Sequence, residues 1–176
     1  DILSEVQVLA AQGTKEVTLV GQTVNSYGKN MEEGKVPFSQ LLRRVAAVPG
    51  IERVRYTSPY PRDFRTDLIE TIRDVPQVME HCHMPLQSGD NEMLAAMRRL
   101  YTRESFGEIL REMRDTIPDL LVTTDLIVGF PGETEAQFEA TLAAVEEFGF
   151  YSSYMFIYSP RPGTPAATEE QLPYAQ

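Results

Sequence analysis

Apolar residues recur at every third or fourth position in several stretches of this chain, and short apolar runs lie between those stretches. The helical spacing starts at Ile2, Val6 and Leu9 and predicts further helices over residues 38–48, 66–75, 102–117 and 134–148, with a short one around Met93 and Met97. Branched and aromatic residues predict strands over residues 16–20, 51–57, 79–84, 120–128 and 150–158. The predicted N-caps are Thr66, Thr102 and Thr134, the last in a capping box with Gln137. This alternation predicts an α/β fold with a parallel sheet and right-handed crossovers.

The first predicted element is a helix, and this affects the number of strands that we expect in the sheet. A strand–helix repeat that begins with a helix lacks its first strand, so we expect five parallel strands out of at least six in a partial or open barrel. A missing strand leaves an open sheet edge, which predicts self-association of the chain. The predicted domain spans residues 1–165, and residues 166–176 are a predicted linker toward a further domain.

Composition narrows the class of protein. Hydrophobic residues make up 42% and charged residues 24% of the chain, as in ordinary globular domains. No apolar stretch approaches the ~20 residues of a membrane span, and the first residues carry neither a starting Met nor a signal peptide, so the beginning looks cut. The net charge of −10 argues against a domain whose main task is to bind the phosphate backbone of a nucleic acid. The single cysteine, Cys82, excludes an internal disulfide and fits a reducing cytoplasm.

Parallel α/β proteins carry their function in loops at the carboxyl ends of strands, and two such loops leave alternatives open. The polar loop 21–28 is as compatible with a plain surface loop as with a site. His81 and His83 share one face of a strand, with Gln87 on the same face if the extended conformation continues. Two histidines are too few for a zinc site, so packed histidines are favoured. Cys82 is favoured as a small buried hydrophobe.

Asp125 is the strongest candidate for a binding residue on chemical grounds. It lies inside the apolar run 120–128, where a carboxylate loses hydration and needs a cation, hydrogen-bond donors or a ligand. It either forms a structural ion pair with Arg99 or Arg103, or accepts hydrogen bonds from the hydroxyls of a ribose. The glycines of segment 129–133 match neither a P-loop nor a dinucleotide fingerprint. They would let a flat group such as adenine approach the backbone.

Six segments stand out when they are taken together in their order and spacing. They are GQTVNSYG (21–28), TSP (57–59), MPLQSG (84–89), MRRLYTRE (97–104), DLIVGFPGE (125–133) and YSPRPGTP (158–165). Over nearly the whole chain this set resembles the radical S-adenosylmethionine (SAM) methylthiotransferases. The first segment resembles the branch of that family that acts on tRNA more than the branch that modifies a ribosomal protein.

The resemblance implies a partial (β/α)6 radical-SAM barrel that binds SAM and, in the full-length protein, two [4Fe–4S] clusters and tRNA. The implied reaction replaces the C2 hydrogen of N6-isopentenyl-adenosine at position 37 of tRNA by a methylthio group. The implied SAM-binding residues are Gln22 for the methionine moiety, Gln87 and Ser88 near the ribose, Asp125 on the ribose, Arg103 or its competitor Arg99 on the carboxylate, and the backbone from Ile127 to Gly129 beside adenine.

The sequence departs from the family in one respect, since the Cys-x-x-x-Cys-x-x-Cys motif that holds a cluster is absent. We therefore interpret the chain as a fragment, inactive alone, with no cluster and no catalytic residue of its own. The alternatives are a methylthiotransferase that acts on a ribosomal protein or another tRNA adenosine, and an acidic α/β binding scaffold without activity. A barrel lyase or aldolase is disfavoured, because no strand end carries a lysine for a Schiff base and no metal-ligand set is visible.

Overall fold

The computed structural model describes residues 2–29, 31 and 36–173. The helices are α1 (Ile2–Ala11), α2 (Phe38–Ala46), α3 (Thr66–Asp74), α4 (Asn91–Ala96), α5 (Arg103–Thr116) and α6 (Glu135–Phe148). The strands are β1 (Glu16–Leu19), β2 (Arg53–Tyr56), β3 (His81–His83), β4 (Leu121–Val128) and β5 (Ser152–Ile157). Every element predicted from the apolar spacing is therefore present. None of the helices in the described ranges combines the length and the apolar character that crossing a bilayer requires.

The chain forms two compact units, and each has its own parallel strand pairing. The first comprises Asp1–Met84 and Ile109–Val122, and the second comprises Pro85–Glu108 and Thr123–Gln176. In the first unit β1 and β2 pair in parallel. The other edge of β2 pairs with the segment that leads into β3, because the Val54 N–H donates to the Gln77 carbonyl at 2.7 Å and the Val54 carbonyl accepts from the Met79 N–H at 3.1 Å.

Helices α2 and α3 supply much of the apolar core of the first unit. Leu42 and Val45 of α2 are completely buried, and Ile69 and Ile72 of α3 are each 1% exposed. In each helix the two residues are three positions apart, which places them on one face. Burying a side chain of this size contributes about 1.5–3 kcal/mol relative to leaving it exposed. The amphipathic spacing in the sequence therefore corresponds directly to the packed face.

The second unit is built on the parallel pair of β4 and β5. Their register runs from Thr123 opposite Ser152 to Val128 opposite Ile157. Gln87 forms a further parallel bridge to Leu126, on β4. Helix α6 ends at Gly149, whose left-handed φ of 53° is the conformation expected after a helix terminus.

An aromatic cluster fills the core of the second unit. The ring centroids of Phe106 and Phe148 lie 5.6 Å apart, and those of Phe148 and Phe150 lie 6.0 Å apart. The nearby Gly107 is required by this packing, because a Cβ at that position would lie 2.9 Å from Cε1 of Phe148. Since real carbon atoms do not approach so closely, any larger residue at position 107 must displace the Phe148 ring.

The structure confirms the fold class and corrects two of its details. Parallel strands alternate with helices, and among the described residues the sheet does not close, as expected for a partial barrel. Thr66 is the first residue of α3 and Arg65 is its N-cap, so the predicted cap was wrong by one residue. Burial along β4 is interrupted at Asp125, whereas the position of this residue inside the apolar run 120–128 predicted a carboxylate that loses its hydration.

The predicted domain boundary at residue 165 stays a prediction. Pro165–Thr168 form a short 3-10 turn, and the end of the predicted linker, residues 174–176, lies outside the described residues. Self-association through an open sheet edge likewise stays a prediction.

Candidate cofactor-binding site

The second unit contains a cavity of about 680 Å³ beside its two strands. Asp125 and Ile127 of β4 line it together with Ile157 of β5, and Gln87 and Phe130 line it from neighbouring loops. The volume lies within the range of pockets that hold small-molecule ligands. The cavity also lies near the carboxyl ends of parallel strands, where α/β proteins bind their ligands.

Asp125 is half-buried and lines this cavity. Its neighbours in β4 are core residues, with Thr124 completely buried and Leu126 4% exposed. Because side chains alternate along a strand, Asp125 lies on the opposite face from these two. Asp125 is therefore less buried than the apolar run predicts.

Arg103 is held by residues of α6. Its Nη2 lies 2.7 Å from the Glu147 Oε2, and its Nη1 donates to the Ala140 carbonyl at 3.4 Å. An ion pair between Asp125 and Arg103, one of the alternatives raised by the sequence, is not the arrangement observed. The role of Arg103 toward a ligand carboxylate stays a prediction.

Gln87 lies beside Asp125 in a left-handed backbone conformation. Its φ is 73°, a value that favours glycine. Its N–H donates to the Asp125 carbonyl at 2.8 Å, and its carbonyl accepts from the Ile127 N–H at 2.9 Å. Its side chain is 6% exposed and lines the cavity. The structure thus brings Gln87 and Asp125 together. The extended conformation does not continue through Gln87, which was the condition for placing it on the same face as His81 and His83.

Two buried hydroxyl groups hold the chain just before Gln87. The Tyr101 hydroxyl donates to the Pro85 carbonyl at 2.8 Å and lies 3.2 Å from the Leu86 carbonyl. The Thr124 hydroxyl accepts from the Leu86 N–H at 2.9 Å. A left-handed non-glycine residue costs about 1–3 kcal/mol, and these bonds offset that cost.

Ser88 packs against α6. It is completely buried, its Oγ lies 3.3 Å from the Thr141 Oγ1, and it accepts from the Asp90 N–H at 3.2 Å. The next residue, Gly89, donates its N–H to the same Thr141 hydroxyl at 2.9 Å. A Cβ at Gly89 would lie 2.7 Å from the Thr141 Cα, so this close approach requires glycine. The ribose role of Ser88 stays a prediction, and the structure gives this side chain a packing role.

Gly129 begins a turn between β4 and α6 that Glu133 stabilises. Gly129 has a φ of 72°, and its N–H donates to the Glu133 Oε2 at 2.6 Å. Burial raises the pKa of the Glu133 carboxyl, the Gly129 N–H opposes that rise, and the charge of Asp90 adds to it. Ile127 and Phe130, on either side of Gly129, both line the cavity. The adenine contact of the Gly129 backbone stays a prediction.

Gln22 lies in the first unit and is exposed. The loop around it is fixed by Asn25, whose Nδ2 donates to the Tyr60 carbonyl at 2.9 Å and whose Oδ1 accepts from the Tyr60 N–H at 2.7 Å. Ser26 donates to the carboxylate of Asp63. Asn25 and Ser26 therefore tie two loops together, whereas Gln22 is left accessible. Its contact with a methionine moiety stays a prediction.

His81 and His83 are half-buried on either side of Cys82, in β3. Burial lowers the pKa of His81, and the charges of Arg55 and His83 lower it further. Burial raises the pKa of the Cys82 thiol to about 12, which leaves it protonated and unreactive at neutral pH. Within the described ranges no three metal-binding side chains converge.

The sequence reasoning missed most of the residues that line the cavity, among them Arg98, Tyr158 and Arg161. These three belong to segments that carry the family resemblance, which was the available signal. Tyr158 packs edge-on against Phe130, with ring centroids 4.9 Å apart. Among the described residues the Nε of Arg99 is buried without a hydrogen-bond partner, which distinguishes it from Arg103.

Comparison with known proteins places this site in a family context. Residues 1–145 match the family model described as the radical SAM superfamily. The chain is 51% identical over 174 residues to a tRNA-2-methylthio-N(6)-dimethylallyladenosine synthase of Bifidobacterium adolescentis, which covers 99% of this chain and 36% of that protein. It is 50% identical over 168 residues to the protein of the same name from Neisseria meningitidis serogroup A, covering 95% of this chain and 38% of that one. The chain thus spans a little over a third of the length of these curated relatives.

Solved structures show the same fold at low sequence identity. TsrM from Kitasatospora setae, a radical S-adenosylmethionine methyltransferase, superposes with a TM-score of 0.72 at 18% identity over 94% of this chain and 32% of that one. Coproporphyrinogen III oxidase (HemN) from Escherichia coli superposes with a TM-score of 0.62 at 18% identity, over 94% of this chain and 38% of that one. The family match, the parallel strands and the cavity at their ends agree, and the chain belongs to the radical SAM superfamily.

Proposed function

We propose that this chain is the central part of a tRNA methylthiotransferase that converts N6-isopentenyl-adenosine at position 37 to its 2-methylthio derivative. The observation that carries the proposal is the identity of about 50% to curated tRNA-2-methylthio-N(6)-dimethylallyladenosine synthases across nearly the whole chain. The partner implied by those names is tRNA, and a tRNA substrate would place the protein in the cytoplasm.

The cavity of the second unit suits SAM in its chemistry. The Asp125 carboxylate can accept hydrogen bonds from the vicinal hydroxyls of a ribose, and the Gln87 carboxamide beside it can donate or accept. Ile127 and Phe130 offer apolar surface to the flat adenine ring. When bound, SAM supplies the methyl group and the radical chemistry.

The residues around this cavity position and shield the ligand. The five backbone and hydroxyl contacts on residues 85–87 fix Gln87 before any ligand arrives, which reduces the ordering cost of binding. The Gly129–Glu133 hydrogen bond fixes the turn that carries Phe130. For the ligand carboxylate, Arg99 and Arg103 remain the two proposed partners, since Arg103 is ion-paired with Glu147 and Arg99 does not line the cavity. Gln22 and Ser88 remain the further proposed contacts.

An iron–sulfur cluster does not fit the residues of this chain. A [4Fe–4S] cluster is held by cysteine thiolates, and the single cysteine is completely buried with a raised pKa. We therefore propose that the two clusters of a methylthiotransferase are bound by residues outside these 176, and no reaction step is assigned to this chain.

A segment-exchange experiment tests the activity. This chain replaces the matching third of the Bifidobacterium adolescentis enzyme, and the chimera is expressed in a bacterium whose own copy of that enzyme has been removed. The nucleosides of the tRNA from this bacterium are analysed by mass spectrometry. We expect 2-methylthio-N6-isopentenyl-adenosine to appear, and to be lost with Asp125→Ala. Asp119→Ala, an exposed carboxylate outside the cavity, is the matched control. A chimera that folds and carries its clusters but leaves the tRNA unmodified contradicts the proposal.

Binding of SAM tests the cavity separately from the activity. Calorimetric titration of SAM into the 176-residue chain should show a single site, weakened about tenfold or more by Asp125→Ala, because two charged hydrogen bonds to the ribose are lost. Equal affinity in Asp125→Ala and Asp119→Ala would refute the ribose role.

A further inference from the structure

The non-glycine residues with left-handed backbone that the structure describes in the second unit both lie at its cavity. Among the described residues of that unit, Gln87 with a φ of 73° and Arg98 with a φ of 57° are the non-glycine residues with positive φ. Both line the cavity. Residues held in such conformations cluster at ligand-binding sites, where the surrounding structure enforces a strained backbone. Gln87 belongs to the site already described, whereas Arg98 has no role there.

Arg98 occupies the position after a helix where glycine is the favoured residue. Its N–H donates to the Ala95 carbonyl at 2.9 Å, and the Arg99 N–H donates to the Leu94 carbonyl at 2.8 Å. These bonds close the end of α4 in a Schellman-like turn, whose left-handed residue is usually glycine. An arginine here is conformationally unfavourable, so the helix end does not explain its presence. Its side chain lines the cavity instead.

Arg161 brings a second guanidinium group to the same cavity. It lies in a rigid turn, because its carbonyl accepts from both the N–H and the hydroxyl of Thr164, at 3.1 and 2.8 Å, and a proline follows it. Among the described residues no carboxylate pairs with Arg98 or Arg161, although the chain has a net charge of −10. Asp125 and Glu169 also line the cavity, but neither carboxylate forms an ion pair with these two exposed arginines, which are therefore available to an anionic ligand.

Aromatic side chains lie in the same cavity as these arginines. Phe156 and Tyr158 line it, and Phe156 is 53% exposed. Exposed rings beside arginine are the combination that binds single-stranded nucleic acid, since the rings stack on bases and the guanidinium groups bind phosphate. A ligand that binds only through a carboxylate would account for the two arginines but not for the exposed Phe156 ring.

We propose that Arg98 and Arg161 form a phosphate-binding subsite for a nucleotide of the substrate RNA, at the cavity that holds Asp125. This inference rests on the proposed function, because it places the substrate nucleotide next to the SAM site. The two arginines bind the phosphate of the substrate nucleotide, while Phe156 and Tyr158 contact its base. It is distinct from the Asp125 and Gln87 contacts, which hold a ribose.

Titration of adenosine 5′-monophosphate (AMP) and adenosine into the 176-residue chain tests the subsite. We expect AMP to bind about tenfold more tightly than adenosine, and this preference to shrink as salt rises, because the phosphate contacts are ionic. Arg98→Gly and Arg161→Gln should each remove most of the preference without changing adenosine or SAM affinity. Arg98→Gly should fold at least as stably as the parent chain, since glycine suits its backbone. Arg111→Gln, which removes an exposed charge of α5, is the matched control.

Several results would overturn the proposal. Equal affinity for AMP and adenosine in the parent chain eliminates the subsite, and so does equal weakening of both ligands by Arg98→Gly. Loss of SAM affinity in place of AMP affinity would assign the arginines to the SAM carboxylate. Inorganic phosphate that binds as tightly as AMP would show a simple anion site. If SAM binds and AMP is not preferred, only this inference fails, whereas a chain that binds no SAM contradicts the proposed function itself.

Discussion

Thr141 of α6 joins the helix to the loop that carries Gln87, and its hydroxyl group can be removed without changing the shape of the side chain. The hydroxyl accepts from the buried Gly89 N–H at 2.9 Å and lies 3.3 Å from the Ser88 Oγ. Thr141→Val leaves that N–H buried and unsatisfied, at a cost of about 1–3 kcal/mol. Thr141→Ser keeps the bonds and loses one methyl group, at about 0.8 kcal/mol. We therefore expect the valine variant to be the less stable of the two.

The order of the two variants separates hydrogen bonding from packing. If about 2 kcal/mol is lost in Thr141→Val, the melting temperature should fall by roughly 4–8 °C for a chain of this size. Urea denaturation followed by circular dichroism measures the free energies, and hydrogen exchange of the Gly89 amide should accelerate in Thr141→Val but not in Thr141→Ser. A serine variant that is less stable than the valine variant would refute the reasoning, because apolar packing and not the hydroxyl would then hold this loop.

Three further outcomes follow from the described contacts. Gly89→Ala should lower the free energy of unfolding by about 1–3 kcal/mol in urea titrations, because its Cβ would overlap the α6 backbone; an unchanged midpoint would contradict that close approach. Cys82 should resist alkylation by iodoacetamide at pH 8 until urea unfolds the chain, since burial holds its pKa at about 12, and rapid labelling of the folded chain would show the thiol to be accessible. Glu133 has a folded pKa above its usual value, so its contribution to stability is fully present below about pH 4.5 and is lost as pH rises through the folded pKa. Glu133→Gln should flatten that part of the stability–pH curve. An identical curve in the variant would exclude Glu133 as the source of this pH dependence.

Local physical rules made most of the fold predictable. The apolar spacing that buries Leu42 and Val45 is visible in the sequence, because a helix repeats every 3.6 residues whatever surrounds it. The capping box at Thr134 is equally local, because the Thr134 N–H donates to the side-chain oxygen of Gln137, three residues along the chain, at 3.0 Å. The N-cap predicted at Thr66 failed by one residue, which is the usual scale of error at helix ends.

The candidate site was only partly predictable, and the reason is physical. A charged residue within an apolar run marks Asp125 from the sequence alone, because an unsolvated carboxylate is costly anywhere. The left-handed conformations of Gln87 and Arg98 leave no such mark, since they depend on hydrogen bonds to β4 and on the end of α4. Likewise, whether Arg103 is available or bound to Glu147 depends on which helix lies beside it. The sequence by itself determined the elements and the family and marked Asp125 as a candidate, whereas the tertiary structure alone decided which side chains share the cavity, because only folding brings distant strand ends and helix ends together.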